Sequence, residues 1–415
     1  MSKVIHRRET CRGCVGSDLE HFFSLKPSPI GDAYITDEQL EVPQPSYPLD
    51  LYVCKSCGLA QLIDVIDPDI LYGEYLYVSG SSAGLTPHFQ AYADHVISRC
   101  ELENGSLIVD LGSNDGTLLR HFKQRGMSVL GVEPAVHIAK QATSEGITSI
   151  DKFFSVEVAR GIVDKYGCAK LITANNVFAN IDNLSSWVNA VDVLLDDDGI
   201  FVFESYYLAD LLQNMVFDFI YHEHLSSFSV RPLQALFNRA GLVLVAVERV
   251  STKGGSLRYF IQRQNGPMAK DGTVEDMLEF EENIGLYQKE TYVTYANKIN
   301  HLKMQLKDFL VKAKCEGKSI AGFGASITGT TLIHHFEIGE YLDYLIDDNP
   351  AKQGRFSPGL HLPVFPSSEL TVRKPDYVII LAWRFSEIII NKNQNYVKSG
   401  GQFIIPLPQF KLCTQ

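Results

Sequence analysis

The sequence predicts an α/β protein in which a small cysteine-rich N-terminal domain precedes two domains built on parallel sheets. Two CxxC pairs lie within the first 60 residues, and strand and helix patterns alternate from about residue 105. The alternation starts again after residue 317, and a chain of 415 residues exceeds the roughly 100–200 residues of one ordinary domain. We therefore expect three domains, at residues 1–70, 71–245 and 246–415.

Composition narrows the class of protein. Hydrophobic residues make up 45% of the chain and charged residues 21%, as in globular proteins. No segment approaches the roughly 20 apolar residues of a membrane span, and the first ten residues lack the apolar core of a secretory signal. The net charge of -12 would repel a polyphosphate backbone. We expect a cytoplasmic monomer or weak homo-oligomer with neither nucleic acid nor membrane as a partner.

Four of the eight cysteines form two matching pairs, Cys11 with Cys14 and Cys54 with Cys57. Each pair can present two thiolates from one tight turn, and together they make a tetrahedral sulfur site for structural zinc. Zinc ribbons that bind nucleic acid are basic, whereas the segment between these pairs holds one lysine, Lys26, against the acidic residues Asp18, Glu20, Asp32, Asp37, Glu38, Glu41 and Asp50. A purely structural role for the metal is favoured.

The first strand of the central domain leads through Gly112-Ser-Asn-Asp-Gly116 into a helix, the position where open α/β sheets bind ligands. A dinucleotide site would need GxGxxG, and the carboxylates in this segment would repel a pyrophosphate. S-adenosylmethionine fits better, because it carries positive groups and no phosphate. An acidic residue about 20 positions downstream can accept its ribose hydroxyls. The cofactor-binding candidates are Asp110, Gly112, Asn114, Asp115, Gly116, Glu133 and Asn176.

A second glycine loop, Gly322-Phe-Gly324 with Gly329, follows a strand of the C-terminal domain, and Asp347 and Asp348 end the next strand. Its spacing is GxGxxxxG rather than GxGxxG, so support of a substrate's nucleotide portion is favoured over NAD binding. A stripe of apolar residues at 286–310 predicts a long amphipathic helix that packs two domains together.

Titratable groups are concentrated between Asp218 and Phe228, in the segment Tyr221-His-Glu-His224 and its aromatic neighbours. Such clustering indicates acid/base chemistry. The HEH spacing lacks the HExxH pattern that places two histidines on one helix face, so a metal site is disfavoured. The alternative is a polar turn or a pair of satisfied core histidines.

The chain resembles, nearly end to end, the sugar C-methyltransferase family of deoxysugar pathways. The motifs that carry the resemblance are, in order, the CxxC pairs, Tyr75-Leu-Tyr77-Val-Ser79, Gly112–Gly116, Gly131-Val-Glu-Pro134, Tyr221–His224, Gly254-Gly-Ser-Leu-Arg258 and Asp347–Arg355. The resemblance implies a zinc-binding domain, a central Rossmann-like methyltransferase domain and a Rossmann-like C-terminal domain that helps hold a nucleotide-linked sugar. It further implies methylation at C3 of a 4-keto-6-deoxyhexose nucleotide.

The implied chemistry gives the clustered residues roles. A C3 proton beside the C4 ketone is acidified because its loss gives an enolate, and His224 is the candidate base. Tyr221 and His222 can donate to the enolate oxygen, while Glu223 orients an imidazole or binds sugar hydroxyls.

The family resemblance also assigns residues outside the cluster. Tyr75, Tyr77 and Ser79 resemble positions that line the cofactor and active site, although aromatic residues are equally at home in a core. The substrate-binding candidates are Ser256, Arg258, Gly324, Lys352 and Arg355. The last two can bind a diphosphate, or else form a basic surface turn.

The chain departs from the family pattern at Asn180 and at Lys253, where histidine is usual, and in the C-terminal loop that reads Ser326-Ile-Thr-Gly329. Asn180 cannot transfer a proton but can hydrogen-bond the substrate, so we expect an altered rate or sugar preference. The alternative functions are methyl transfer to another small molecule or to oxygen, S-adenosylmethionine binding without catalysis, and nicotinamide-dependent oxidoreduction.

Overall fold

The computed structural model of the protein describes residues 4–72, 80 and 84–413. Tyr75, Tyr77 and Ser79 therefore lie outside the described residues. The mixed α/β architecture with a small N-terminal unit is as predicted. Within the described chain, no helix is both long and apolar enough to cross a membrane.

The N-terminal unit consists of short antiparallel strands and one short helix. Strands β2, β3 and β4 form a sheet, and β1 pairs with β5. A two-residue strand from the central domain, Ser226–Ser227, pairs with the free edge of β4. The elements are β1 (Ile5–Arg7), β2 (Leu19–Ser28), β3 (Tyr47–Cys54), β4 (Ala60–Leu62), β5 (Asp64–Ile66) and α1 (Pro68–Tyr72).

The central unit is a seven-stranded sheet covered by helices on both faces. Its elements are α2 (Leu85–Arg99), β6 (Leu107–Leu111), α3 (Thr117–Gln124), β7 (Ser128–Val132), α4 (Val136–Ser144), β8 (Ser149–Ile150), α5 (Val156–Tyr166), β9 (Ala169–Thr173), α6 (Leu184–Leu194), β10 (Leu195–Tyr206), α7 (Leu208–Gln213), β11 (Ser226–Ser227), α8 (Val230–Arg239), β12 (Leu242–Val250) and β13 (Ser256–Arg263).

The order in the central sheet is β12-β13-β10-β9-β6-β7-β8. Strands β6 to β10 run parallel, β13 is antiparallel to β10, and β12 is antiparallel to β13. Every residue from Ile200 to Tyr206 in β10 is buried, as expected for a strand between two helical layers. The domain division that the sequence placed after residue 245 lies inside β12, and strand pairing extends the central sheet to Arg263.

The C-terminal unit has a six-stranded sheet in the order β16-β15-β14-β17-β18-β19, parallel except for β19. Its elements are α9 (Thr273–Asn283), α10 (Lys289–Cys315), β14 (Ile320–Phe323), α11 (Ile327–Phe336), β15 (Tyr344–Ile346), β16 (Val364–Phe365), α12 (Glu369–Arg373), β17 (Tyr377–Ile380), α13 (Ser386–Lys392), α14 (Gln394–Lys398), β18 (Gln402–Ile405) and β19 (Lys411–Cys413).

Helix α10 is the long amphipathic helix that the apolar stripe predicts, although it begins three residues later, at Lys289. The chain still turns at Gly285, whose φ of 64° lies in the left-handed region. The buried face of α10 contacts the N-terminal unit: Phe22 packs edge-on against Tyr292, with ring centroids 4.5 Å apart. The helix therefore joins two domains, as expected.

A buried ion pair joins the central and C-terminal units. The carboxylate of Asp218 is fully buried and accepts hydrogen bonds from the guanidinium of Arg384 at 2.9 and 3.0 Å and from the indole of Trp383 at 3.0 Å. Burial raises the pKa of Asp218, while the charge of Arg384 and the three hydrogen bonds oppose that rise. The contact holds one end of the segment that contains Tyr221 to His224.

We predict that Arg384→Met destabilises the protein by roughly 3–5 kcal/mol, because it leaves a buried carboxylate without its charged partner. Urea denaturation followed by intrinsic fluorescence measures the loss. The control is Arg160→Met, which removes an exposed arginine and should change the stability by less than about 0.5 kcal/mol. An equal, small effect of both substitutions would contradict the prediction.

Candidate active site

A cavity of about 350 Å³ opens at the carboxyl ends of β6 and β7, beside the loop that follows β9. The order of strands reverses at β6, and open α/β sheets bind ligands at such a switch point. The volume is within the range of small-molecule sites, roughly 300–1,000 Å³. The sequence-predicted residues that line the cavity are Gly112, Asn114, Glu133, Asn176, Asn180 and Glu223.

The loop after β6 brings the backbone close to the cavity. Gly112 has a φ of 71°, and a Cβ atom at this position would lie 2.3 Å from Cγ2 of Val177. Only glycine fits, because both the conformation and the space exclude a side chain. Asn114, also left-handed with a φ of 49°, then directs its N–H toward the end of the next strand.

Glu133 is the carboxylate at the end of β7. One of its oxygens accepts the N–H of Asn114 at 2.9 Å, and the other accepts the N–H of Ala135 at 2.8 Å. Burial raises its pKa, and the two N–H groups oppose that rise. A carboxylate has about four acceptor positions, so two remain for ligand hydroxyls. Its place in the cavity wall fits the predicted contact with a ribose.

Three other predicted cofactor residues are not among the described residues that line the cavity. Asp110 is buried behind it and accepts the hydroxyl of Thr173 at 2.6 Å, and burial raises its pKa to about 7. Asp115 accepts the N–H and the hydroxyl of Thr117 at the start of α3, and the N–H of Gly80 at 3.0 Å. Gly116 is the left-handed N-cap of that helix. These residues shape the loop.

His224 is held at both ring nitrogens. Its Nδ1 lies 2.8 Å from the carbonyl oxygen of Phe219 and must donate to it, because a carbonyl can only accept. Nε2 is then the acceptor, and the hydroxyl of Tyr221 donates to it at 2.8 Å. Burial lowers the pKa of His224 to about 3. The imidazole is therefore neutral at pH 7, with its lone pair on Nε2. His224 and Tyr221 are not among the described residues that line the cavity, so their contact with a substrate stays a prediction.

The pKa of Glu223 is shifted in the opposite direction, upward. Burial raises its pKa to about 8, with a further rise from the charge of Asp32, while Lys352 and Lys253 lower it. Its charge also acts on the phenols of Tyr72 and Tyr221. At pH 7 the Glu223 carboxyl is mostly protonated and lines the cavity as a hydrogen-bond donor.

His222 points toward the N-terminal unit. Its Nε2 donates to the carbonyl oxygen of Tyr47 at 3.3 Å, and its ring packs edge-on against the ring of the same residue. Burial lowers its pKa to about 4. Like Tyr221 and His224, His222 is not among the described residues that line the cavity, and its expected donation to an enolate oxygen stays a prediction.

The four cysteines of the CxxC pairs converge. Their sulfur atoms all lie within 4.8 Å of one another, with 3.7 Å between Cys11 and Cys57 and 3.4 Å between Cys14 and Cys54. Tetrahedral zinc with Zn–S bonds of about 2.3 Å needs sulfur atoms about 3.8 Å apart. The donor set therefore fits a closed structural zinc site.

The residue after the first zinc cysteine connects this site to the active-site segment. Arg12 is fully buried, and its guanidinium donates to the carbonyl oxygens of Leu62 and Leu225, both at 2.7 Å. It also pairs with Asp182 at 3.3 Å. Leu225 directly follows His224 in the chain. The zinc knuckle thus fixes the end of the segment that carries the candidate catalytic groups.

The substrate-binding candidates Ser256 and Arg258 make contacts within the protein. Ser256 donates to the carbonyl oxygen of Thr252 at 2.9 Å, and Arg258 donates to Glu204 at 2.7 and 2.9 Å. Neither is among the described residues that line the cavity.

Two of the other three candidates bind the N-terminal unit. The ammonium of Lys352 donates to Asp32 at 2.5 Å, and Arg355 donates to the carbonyl oxygen of Tyr34 at 3.1 Å. Gly324 directly follows β14 and has a φ of 111°. The role of all five in substrate binding stays a prediction.

Residues that the sequence did not single out for the site also line the cavity, among them Tyr72, Asn175 and Lys253. The side-chain oxygen of Asn175 accepts the N–H of Glu204 at 2.8 Å, which fixes its amide at the cavity wall. Lys253 had a signal in the sequence, as a departure from the family pattern. For Arg12, the only signal in the sequence was its position inside a CxxC pair.

We predict that Cys54→Ser lowers bound zinc well below one ion per chain and unfolds the N-terminal unit, because metal binding supplies folding free energy in such sites. Atomic emission spectroscopy and limited proteolysis measure the two effects. Cys315→Ser is the matched control, because Cys315 is an exposed thiol outside the cluster. Full zinc content in Cys54→Ser would contradict the assignment of this ligand.

Three family models match the chain in the order of its domains. A zinc binding domain model matches residues 11–72, a methyltransferase domain model matches residues 87–247, and a C-methyltransferase C-terminal domain model matches residues 251–408. The chain is 32% identical to the C-methyltransferase NovU of Streptomyces niveus over 410 residues, which cover 99% of this chain and 98% of NovU.

Solved structures resemble part of the chain. The magnesium protoporphyrin IX methyltransferase ChlM of Synechocystis PCC 6803 with bound S-adenosylhomocysteine is 13% identical, with a TM-score of 0.34, over 43% of this chain and 83% of ChlM. The PH0226 protein of Pyrococcus horikoshii OT3 is 12% identical, with a TM-score of 0.37, over 46% of this chain and 98% of PH0226.

The family models and the full-length relative agree with the motif resemblance and with the cysteine cluster. S-adenosylmethionine and structural zinc are accordingly the cofactors of this protein. The chain belongs to the family of S-adenosylmethionine-dependent C-methyltransferases that carry a zinc-binding N-terminal domain.

Proposed function

We propose that this enzyme transfers the methyl group to C3 of a nucleotide-linked 4-keto-6-deoxyhexose, by way of an enolate, in the cytoplasmic synthesis of branched deoxysugars. The observation that carries the proposal is that adjacent residues offer a proton donor and a base: Glu223 lines the cavity and burial raises its pKa to about 8, while the Nδ1 donation of His224 to Phe219 leaves a lone pair on Nε2. Carbon methylation needs both, because a carbon beside a ketone must lose a proton while the ketone oxygen gains negative charge.

The cofactor would lie along the carboxyl ends of β6 and β7. Glu133 would accept the two ribose hydroxyls, and the backbone at Gly112 would lie close to the methionine portion. The bound cofactor supplies an electrophilic methyl group on a sulfonium. The protein would hold this methyl group against the sugar carbon in a site that excludes water.

The substrate would lie between the cofactor and the Tyr221–His224 segment. Nε2 of His224 would take the C3 proton after the Tyr221 hydroxyl moves away from it, and the Nδ1 donor to Phe219 fixes the tautomer that this step requires. The protonated carboxyl of Glu223 would donate to the ketone oxygen. Asn180, which also lines the cavity, would hydrogen-bond a sugar hydroxyl.

We expect Glu133→Ala to weaken the binding of S-adenosylmethionine and S-adenosylhomocysteine by about 10- to 100-fold, the worth of hydrogen bonds to a charged acceptor. Isothermal titration calorimetry measures both ligands. Glu157→Ala, which removes an exposed carboxylate of α5, should leave both affinities unchanged. Unaltered binding in Glu133→Ala would mean that the ribose is held elsewhere.

We expect turnover to fall as the pH rises through about 8, because Glu223 then loses the proton with which it donates to the ketone. Glu223→Gln keeps a donor without a titrating proton and should flatten this alkaline limb. His224→Asn should lose on the order of 100-fold or more in turnover at every pH. Activity that instead rises through pH 8 and vanishes in Glu223→Gln would make Glu223 the base and overturn the assignment.

Deuterium exchange tests the substrate class directly. Enzyme, S-adenosylhomocysteine and a thymidine- or guanosine-diphosphate-linked 4-keto-6-deoxyglucose are incubated in D2O, and C3 and C5, the two carbons beside the ketone, are read by NMR. Label at C3 is expected, and label at C5 alone would place the methyl group there. The absence of exchange at both carbons would favour transfer to oxygen or a catalytically silent protein.

A further inference from the structure

The cavity contains a single cationic side chain among the described residues that line it. That residue is Lys253, and it shares the cavity with three carboxyl groups, on Glu133, Asp182 and Glu223. The reaction proposed above places negative charge on the substrate oxygen. An anion that forms in a buried cavity needs a positive group to balance it, and neither Glu223, protonated at pH 7, nor Asp182, paired with Arg8 and Arg12, supplies one.

The backbone holds Lys253 in a fixed position. It lies in the tight turn between β12 and β13 with a φ of 58°, a backbone conformation that residues other than glycine rarely adopt. Gly255, two residues further along the turn, is packed so closely that an added Cβ would lie 2.4 Å from the Cβ of Asp210. Asp210 is in turn paired with Arg249. A bulky residue held in this conformation often marks a functional position.

The charge of Lys253 acts on both groups that the proposed reaction uses. It lowers the pKa of Glu223, on which burial, Asp32 and Lys352 have larger effects, and that of His224, on which burial and the Phe219 carbonyl have larger effects. The ammonium therefore lies within electrostatic reach of the donor and of the base. A substrate oxygen between those two groups would be within the same reach.

Three neighbouring cations are held by partners within the protein. Arg384 is paired with Asp218 at 2.9 Å, Lys352 donates to Asp32 and to the carbonyl oxygen of Ala325, and Arg12 donates to two carbonyl oxygens. None of the three is among the described residues that line the cavity. Among the described residues, Lys253 is therefore the cation whose place in the cavity wall lets it meet charge that develops inside the cavity.

We infer that Lys253 is a further catalytic residue, which binds the ketone oxygen of the substrate and balances the charge of the enolate. The inference rests on the proposed function. As the proton moves from C3 to His224, the electrons of the C–H bond form the C3–C4 double bond and the carbonyl pair moves to oxygen, beside the ammonium. The C3 carbon then bonds to the methyl group, and the electrons of the broken carbon–sulfur bond stay on sulfur.

The test compares Lys253→Met, Lys253→Gln and Lys253→Arg with the unaltered enzyme. All three keep a side chain on the same left-handed backbone, so the comparison isolates the charge. Lys270→Met, which removes an exposed lysine after β13, is the control. The readouts are deuterium exchange with the two keto-sugar nucleotides, kcat and KM for methyl transfer, and S-adenosylhomocysteine binding as a check of folding.

We expect the two neutral variants to bind S-adenosylhomocysteine normally but to exchange deuterium and turn over at least about 100-fold more slowly, with little change in KM. Lys253→Arg should retain most of the exchange rate. Exchange in either neutral variant within about twofold of the unaltered enzyme would overturn the inference.

A rise in KM alone, with exchange at saturation unchanged, would also overturn it, because Lys253 would then hold a remote part of the substrate such as the diphosphate. The absence of exchange in the unaltered enzyme would overturn the proposed function and this inference together. If the unaltered enzyme exchanges deuterium and the neutral variants exchange it at least as fast, only the role of Lys253 would be overturned.

Discussion

The burial of the Arg12 guanidinium is the interaction on which the arrangement of the active site depends. Burial of a charge is costly unless its donors are satisfied, and it lowers the pKa of Arg12 to about 10. The carbonyl oxygens of Leu62 and Leu225 and the carboxylate of Asp182 supply the partners. Since Arg12 lies between two zinc ligands, the metal site and the catalytic segment hold each other in register.

The segment that carries the candidate catalytic groups is held at both ends by different domains. Near its start, Asp218 is paired with Arg384 of the C-terminal unit, and after its end, β11 adds to the edge of β4 in the N-terminal unit. Between these contacts, Phe219, Tyr221 and His224 form a stacked and hydrogen-bonded group. Such support allows a short loop to present titratable groups in fixed positions.

One physical cause, the removal of water, prepares two adjacent groups for opposite roles. Burial disfavours the charged form of any group, so it raises the pKa of Glu223 to about 8 and lowers that of His224 to about 3. Both are therefore neutral at pH 7, one with a proton to donate and the other with a lone pair. The same low dielectric strengthens the effect of a nearby charge such as that of Lys253.

The sequence by itself determined the features that depend on neighbours along the chain. The CxxC spacing identified the zinc ligands, the Gly112–Gly116 loop and Glu133 identified the cofactor edge of the sheet, and the apolar stripe predicted α10. Each rests on a local rule: two thiolates from one turn, a ligand at the end of a strand, or a helical period.

Only the tertiary structure decided what depends on contacts between distant segments. In the folded chain, His222 points toward Tyr47 and Lys352 pairs with Asp32 outside the cavity wall. Lys253 enters the cavity wall, and Arg12 lies beside the segment with the candidate catalytic groups. These outcomes follow from burial and from the pairing of charges that lie far apart in the chain, as for Arg12 and Asp182 at a separation of 170 residues and for Lys352 and Asp32 at 320. No local spacing encodes them, because the free energy of a buried charge depends on which partners the folded chain brings to it.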